Sequence, residues 1–588
     1  MIFGKYINKY YLKYSWILLI GIIALLAVDI YQLKIPEIYR QIIDGFDPDI
    51  PDVVINAEVI KTLCLDMLFI AVVMILGRFL WRICFFGTAI RVETNLRNKM
   101  FAHCKNLSQS FYQNNKVGNM MSLFTNDIET INECFGDGIL MFVDAVALGG
   151  MAIFKMLKMN PILTLLSLIP MVFMGLISAI VGNYMMKKWK IRQEAFSELS
   201  DFSQESFSGV AVIKAFVKEF KELLAFRKVN KNNEKANVEF VKASTLLNVF
   251  VTLFVQSVIC IILGVGGYYA YNGTFTAGQL IEFITYFNSV VWPVMAISRL
   301  IEMGSRGKAS LKRISDLLDT EIEVKDGPNV RNDVKEIKGK IEFRNLTFTY
   351  PDADYNALEN VSFTIQAGEN VGIIGKTGAG KTTMVDLILR TYNVPDNSIF
   401  IDDYDINTLP IKLVREYAAY VPQDNFLFSD TIERNIAFAY EGIANHEDVV
   451  RVATLADLDD NIKEFSEGYE TLLGERGVTI SGGQKQRTSI ARALLKDASI
   501  LILDDSVSAV DTKTESKILS NLRETRKGKT TILIAHRIST VENMDKVLFV
   551  DDGKVLAFGS HQELCQTCKE YANMVELQRL EDEYGGDK

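Results

Sequence analysis

Val371-Gly372-Ile373-Ile374-Gly375-Lys376-Thr377-Gly378-Ala379-Gly380-Lys381-Thr382-Thr383 is the stretch from which the rest of the chain is read. An apolar run of β-formers ends at Gly375, and Gly380-Lys381-Thr382 leads into a helical pattern over Thr383–Leu389. Glycines at 375, 378 and 380 let backbone N–H groups turn toward an anion, and the helix behind them points its positive end at the same place. The spacing G-x-x-x-x-G-K-T predicts a loop that wraps nucleotide phosphates. Lys381 is expected to reach the β- and γ-phosphates and Thr382 to ligate magnesium.

Further along, Ser499-Ile-Leu-Ile-Leu503 runs into Asp504-Asp505, a buried-strand pattern delivering two carboxylates to one edge. Asp504 is the expected magnesium-side carboxylate of a phosphate-loop nucleotidase. Between these motifs, Ile480-Ser481-Gly482-Gly483-Gln484-Lys485-Gln486-Arg487 opens another helix with a serine and two glycines. Alone it is a capped helix start. Beside a first phosphate-binding helix, it suggests a second anion site, for the γ-phosphate of a nucleotide held by another copy. From Ile341 onward short β-rich runs alternate with helical segments, as in an α/β domain. Charged Asp319–Lys340, with Gly327-Pro328 and Gly339, marks the boundary before it.

Upstream of that boundary lie six apolar stretches near Ser15–Leu33, Leu63–Phe86, Ile139–Leu157, Ile162–Tyr184, Leu246–Tyr271 and Gln279–Ile301. Each approaches the ~20 residues that span a bilayer as a helix. The first, preceded by Lys5, Lys9 and Lys13, is too long for a cleaved leader and has no small-x-small site after it. The link between the first two spans is acidic (Asp44, Asp47, Asp49, Asp52, Glu58). The links after spans two and four carry Arg91, Arg97, Lys99, Lys187, Lys188, Lys190 and Arg192. The positive-inside rule then places both termini and the long basic links in the cytoplasm. Arg91–Leu107 and Lys187–Ser206 are expected to continue the membrane helices into water. Phe111–Gly118, leading to Thr125-Asn126-Asp127, and Glu205–Gly209, leading to Ile213–Phe216, are either solvated helix turns or docking surfaces for the C-terminal half. Arg78 and Arg82, one turn apart, either snorkel or contact substrate. Glu282, Arg299 and Glu302 are expected at the membrane interface. Tyr286, Phe287, Trp292 and Met295 line a cavity, face lipid or pack.

Composition agrees with a membrane half joined to a soluble half. Of 588 residues, 49% are hydrophobic and 23% charged, with a mean hydropathy of +0.14. The net charge of −9 argues against a nucleic-acid partner. Seven cysteines, odd in number and scattered, imply no disulfide framework. Cys565-x-x-Cys568, with no second pair, is expected to be an inert surface pair.

With these motifs in order, the C-terminal half resembles the nucleotide-binding domain of the ATP-binding cassette (ABC) family, and the whole chain resembles an exporter-type half-transporter. The resemblance implies an all-α domain of six transmembrane helices over 1–320, a linker over 321–340 and an α/β P-loop cassette over 341–588. It implies that Tyr350, in Phe348-Thr-Tyr-Pro, stacks on adenine, and that Gly375 to Thr383 bind ATP as the Walker A loop. Gln423, in Val421-Pro-Gln-Asp, matches the glutamine linking Mg²⁺ to the membrane domain, joining Thr382 and Asp504 around the ion. Gly474-Glu-Arg-Gly477 matches the exporter stretch ahead of the signature, which is Ser481, Gly482, Gly483 and Gln484, with Ile480 where leucine is usual. Ser508–Asp511 matches the D-loop, through Asp511, and His536 the switch histidine. The long links then resemble the coupling elements that rest on cassettes.

The departure is Asp505, where the family normally has a glutamate that positions the attacking water. One methylene fewer withdraws the carboxylate by about 1 Å, which can cost on the order of 10²-fold in rate. The resemblance therefore implies a heterodimer, with this chain owning the impaired site and lending Ser481–Gln484 to a competent site completed by an unlike partner. A homodimer in which Asp505 suffices, and a non-transporting ABC sensor, are the alternatives. The expected setting is a bacterial plasma membrane, multi-pass, with the cassette cytoplasmic, and the cargo is a small molecule, lipid or peptide.

Overall fold

The computed structural model describes residues 4–46, 56–440, 442, 444–474, 477 and 479–585. The acidic positions Asp47, Asp49 and Asp52, and Glu475 and Arg476 before the signature, lie outside the described residues. The described chain divides into two compact units, one of residues 4–46, 56–103 and 118–320, the other of 104–117 and the described residues from 321 on.

Among the described residues, six helices of the first unit are long and apolar enough to cross a bilayer. They are α1 (Ser15–Asp44), α2 (Ala57–Cys104), α4 (Val117–Met159), α5 (Pro161–Ser208), α7 (Glu219–Tyr271) and α8 (Ala277–Asp319), and each contains one of the six expected spans. Two short helices, α3 (Gln109–Asn114) and α6 (Val210–Ala215), sit in the long links. The expected extension of spans two and four holds, since α2 and α5 each run unbroken for 48 residues. Helix α5 packs along α7 and α8 along α4. Their contacts are apolar on the inner faces, with Met156, Val258, Ile262 and Phe283 all fully or nearly fully buried.

Local chemistry fixes where these helices begin. Asn160 caps α5, its side chain accepting from Leu163 N at 3.0 Å, and Pro161 takes the first position, where no N–H is needed. Thr276 and Gln279 form a reciprocal capping box at the start of α8. Asp44, from the end of α1, accepts from Gly278 N at 2.9 Å and Thr276 Oγ1 at 3.0 Å, so the first helix is tied to the start of the last. Glu282 is 4% exposed and accepts from Tyr286 Oη at 3.0 Å, with Arg40 of α1 supplying an opposite charge at 3.5 Å. Tyr286 and Phe287 are core residues, whereas Trp292 and Met295 stay exposed.

The second unit holds two sheets. An antiparallel sheet contains β1 (Ile341–Thr349), β2 (Asn356–Ile365), β4 (Ile399–Ile401) and β5 (Tyr404–Asp405), ordered β2-β1-β4-β5. The other contains β3 (Asn370–Gly375), β6 (Ala418–Val421), β7 (Ile500–Asp504), β8 (Thr530–Ile534), β9 (Lys546–Asp551) and β10 (Lys554–Gly559), ordered β10-β9-β3-β8-β7-β6. Strands β9-β3-β8-β7-β6 are parallel, and β3, β7 and β8 are buried on both faces, which their continuous Val, Ile and Leu runs require. In such a sheet the carboxyl ends of the strands gather on one edge, and the loops leaving β3, β6, β7 and β8 meet there. Cys568 corrects the expectation of a surface cysteine pair. It is 8% exposed, drawn into the core beside Leu564 and Tyr571, while Cys565 stays half-buried.

Candidate functional site

The loop after β3 turns as its glycines allow. Gly378 and Gly380 have φ of +83° and +92°, and a Cβ on Gly380 would lie 2.7 Å from the Ala357 carbonyl oxygen. The helix behind it, α9 (Lys381–Ile388), begins two residues earlier than expected, so Lys381 and Thr382 are themselves first-turn residues. Lys381 Nζ, 6% exposed, donates to the carbonyls of Gly375 at 2.7 Å and Lys376 at 2.8 Å, folded over the loop it is expected to serve. Burial holds its ammonium below the ordinary lysine range, against the pull of Asp504 and Asp505. Lys376 points away and pairs with Asp551 at 3.0 Å, leaving phosphate contact from that residue to its backbone.

Asp504 lies within β7 itself and is 2% exposed. Thr382 Oγ1 donates to Asp504 Oδ2 at 2.9 Å, so the two oxygens expected around magnesium converge. Burial raises the Asp504 carboxyl above its usual range, and Asp505 adds to this, while Thr382 and Lys381 act in the other direction. Gln423, two residues past β6, sends Nε2 to Asp505 Oδ2 at 3.4 Å. Thr382, Asp504 and Gln423 offer the hard oxygen donors that magnesium takes, and a cation there would offset the Asp504–Asp505 repulsion. The residues fit the ion.

Asp505 is held at its backbone. Its N–H donates to Ile534 O at 3.0 Å, its carbonyl accepts from Ser508 Oγ at 2.9 Å, and its φ is +47°. The register of β7 on β8 pairs Asp504 with Ile534, which brings the loop carrying His536 alongside. His536 is exposed, and its carbonyl accepts from Gln578 Nε2 at 2.8 Å on α12 (Lys569–Gly585).

Ser481 caps α10 (Gly482–Leu495) in a capping box with Gln484, which leaves the N–H groups of Gly482 and Gly483 at the helix start. A Cβ on Gly483 would sit tightly, 3.1 Å from Ala509 O. Asp511 caps α11 (Thr512–Thr525), accepting from Lys513 and Thr514 N–H at 3.1 and 3.0 Å. Tyr350 is half-buried, its hydroxyl 2.9 Å from Thr383 Oγ1 and its ring edge-on to Tyr392 at 5.1 Å.

Gln486 and Tyr392 were missed from sequence. Gln486, 7% exposed, receives Ala509 N at 3.0 Å and reaches the Asp505 carbonyl at 3.5 Å, joining the α10 start to the β7 end. Tyr392 Oη donates to Gln113 Oε1 at 2.9 Å, and the neighbouring Asn114 donates to Asp352 at 2.6 Å. Helix α3 thus belongs to the same compact unit as the cassette. A polar residue on a link, next to an aromatic-rich motif, was the only available signal.

Known proteins resemble this chain along nearly its whole length. Residues 18–294 match the model of the ABC transporter transmembrane region, and 358–508 that of the ABC transporter cassette. The chain is 36% identical over 580 residues to the "probable multidrug resistance ABC transporter ATP-binding/permease protein YheI" of Bacillus subtilis (strain 168), covering 98% of this chain and 97% of that protein. It is 34% identical over 575 residues to the "multidrug resistance-like ATP-binding protein MdlA" of Escherichia coli (strain K12), covering 97% and 96%. A bacterial Atm1-family ABC exporter solved with ATP bound superposes with a TM-score of 0.77 at 27% identity, covering 97% of this chain and 99% of that one. The chain belongs to the ABC transporter family, as a multi-pass exporter half-transporter with its membrane region fused ahead of its ATP-binding cassette.

Proposed function

We propose that this subunit works in a heterodimer, that its own nucleotide site is the slow one, and that an unlike half-transporter completes the fast one. The observation that carries the reading is the clamped backbone of Asp505. With N–H and carbonyl both engaged, the main chain cannot advance to replace the missing methylene, so the carboxylate stays short of where a glutamate would reach. In this scheme Gly375 to Thr383 hold the ATP phosphates, Tyr350 faces the adenine, and Thr382, Asp504 and Gln423 hold Mg²⁺. When bound, the ion would neutralise charge on the phosphates. Asp505 and His536 flank the water and the γ-phosphate, while Ser481, Gly482, Gly483 and Gln484 turn toward the partner's nucleotide and Asp511 lies between the sites. Closure of the paired cassettes moves α3 with its cassette, and the membrane helices switch the cavity from the cytoplasmic to the outer side. The basic links put both termini and the cassette, taken as 341–588 behind a 321–340 linker, in the cytoplasm of a bacterium.

A homodimer is favoured by one observation. Asp505 has a left-handed backbone, and aspartate enters that region more readily than glutamate. ATPase assays on this chain purified alone and with a partner half-transporter separate the two: brisk turnover by this chain alone would sink the heterodimer. The names of relatives, multidrug for YheI and lipid A-core for the flippase of Photorhabdus laumondii, support an amphipathic cargo.

A further inference from the structure

The membrane unit contains a cavity of about 650 Å³ walled by α1, α2, α4 and α8, a volume that suits a small organic ligand. Its wall is charged, which is costly at membrane depth and marks function. Asp29, Asp137 and Asp144 line it beside Arg78 and Arg299. Asp29 and Asp144 approach each other from α1 and α4, with Arg78 within electrostatic reach of both.

Two buried polar atoms of residues that line the cavity lack a partner. Asp29 is 1% exposed and its Oδ2 accepts no hydrogen bond. Trp81 is 8% exposed and its Nε1 donates none. A buried acceptor on a carboxylate and a buried indole donor each cost stability while unmet. Asp144 differs, since Trp292 Nε1 donates to its Oδ2 at 2.9 Å, and the Trp292 ring stays 43% exposed on the same wall. That indole N–H already aimed at Asp144 would face a metal ion with its own positive end, so the wall suits an organic cation better than an inorganic one. An organic ammonium can donate to Asp29, lie against the Trp292 ring, and offer an oxygen to Trp81.

We propose that this cavity recognises a small amphipathic amine in its protonated form, carrying both an ammonium group and a hydrogen-bond acceptor. Asp29 and Asp144 supply the counter-charge and Trp81 and Trp292 the orientation. The assignment rests on the exporter reading and names the substrate class for it.

The test uses the full chain in lipid nanodiscs with dansylcadaverine, which has an ammonium, sulfonyl oxygens and a fluorescent ring. Its N-acetyl derivative lacks the charge. The amine should bind about tenfold or more tightly than the acetamide, the value of a charged hydrogen bond. Asp29→Asn and Asp144→Asn should each remove that preference, and Asp29→Glu, which keeps the charge, should retain it. Equal binding of the two probes by the unaltered protein, or a preference that survives both Asn variants, overturns the proposal. Inside-out vesicles given ATP separate it from the exporter reading. Selective binding of the amine without transport supports the cation site and sinks export of that class. Equal transport of both probes sinks the cation site and leaves export standing.

Discussion

The phenol of Tyr392 donates to the side-chain oxygen of Gln113 at 2.9 Å, across 279 residues of sequence. Tyr392 also stands edge-on to Tyr350 at 5.1 Å, and Tyr350 bonds Thr383 at the start of α9. A short path of rings and hydroxyls therefore runs from the phosphate loop to a helix in the link after the second span. Tyr392→Phe keeps the ring and deletes one neutral hydrogen bond, worth about 1 kcal/mol. ATP binding should be unchanged, while transport per ATP hydrolysed should fall several-fold. Adding Asn114→Ala, which removes the bond to Asp352, should deepen the loss. Unaltered coupling in the double variant would show that α3 rests on the cassette without transmitting anything.

The glycines of the phosphate loop differ in what they exclude. A Cβ on Gly375 would sit 1.9 Å from Val550 O, which would force β3 and β9 apart. Gly375→Ala should cost about 3 kcal/mol or more. Gly380→Ala combines a left-handed φ with a 2.7 Å approach to Ala357 O. Gly378→Ala has a left-handed φ but open space, so it should cost only about 1–2 kcal/mol. Thermal unfolding should rank the variants 375, 380, 378 from worst to mildest. A different order would mean the loop rearranges to make room.

Asp505→Glu separates the two readings of that residue. If the missing methylene limits turnover, hydrolysis at this chain's own site should rise by up to about 10²-fold. The left-handed φ of +47° predicts a stability loss of up to about 1 kcal/mol, because glutamate enters that region less readily. A loss of stability with no gain in turnover would mean that the aspartate is kept for its backbone. The readout is single-site turnover beside the unfolding midpoint.

What the sequence disclosed was what short-range chemistry dictates. The glycine spacing of 375–382 determines a backbone shape within eight residues, and an apolar run near 20 residues determines a span without reference to the rest of the chain. Both were found in place. Partners distant in sequence stayed hidden. Gln113 has no pattern that points to Tyr392, Gln486 resembles any polar residue on a helix start, and the clasp of Gln578 on the His536 loop joins segments 42 residues apart. The pairing of Glu282 with Arg40, 242 residues away, had no local signal either. Cys568 was misjudged because a polar-looking C-terminal segment folds back onto the sheet core.

Asp386, one turn beyond Thr382 on α9, gives the cassette a pH dependence of its own. Burial, reinforced by the charge of Asp504, pushes its carboxyl up to about 6 from 3.8, with only a bond from Thr391 opposing. The folded state thus binds this proton more tightly than the unfolded chain. Between about pH 4 and pH 6 the native form carries more protons, so stability from this group is fully present below about pH 4 and falls as pH rises through 6. Above that range the cost is constant. Asp386→Asn removes the ionisation, and the nucleotide-free protein should gain about 1–3 kcal/mol at pH 8. At pH 4, where Asp386 is already protonated, the gain should vanish. Unfolding midpoints of the two proteins across pH 4–8 should therefore diverge with rising pH. A gap that stays constant would show that Asp386 ionises normally and that the substitution acts through packing alone.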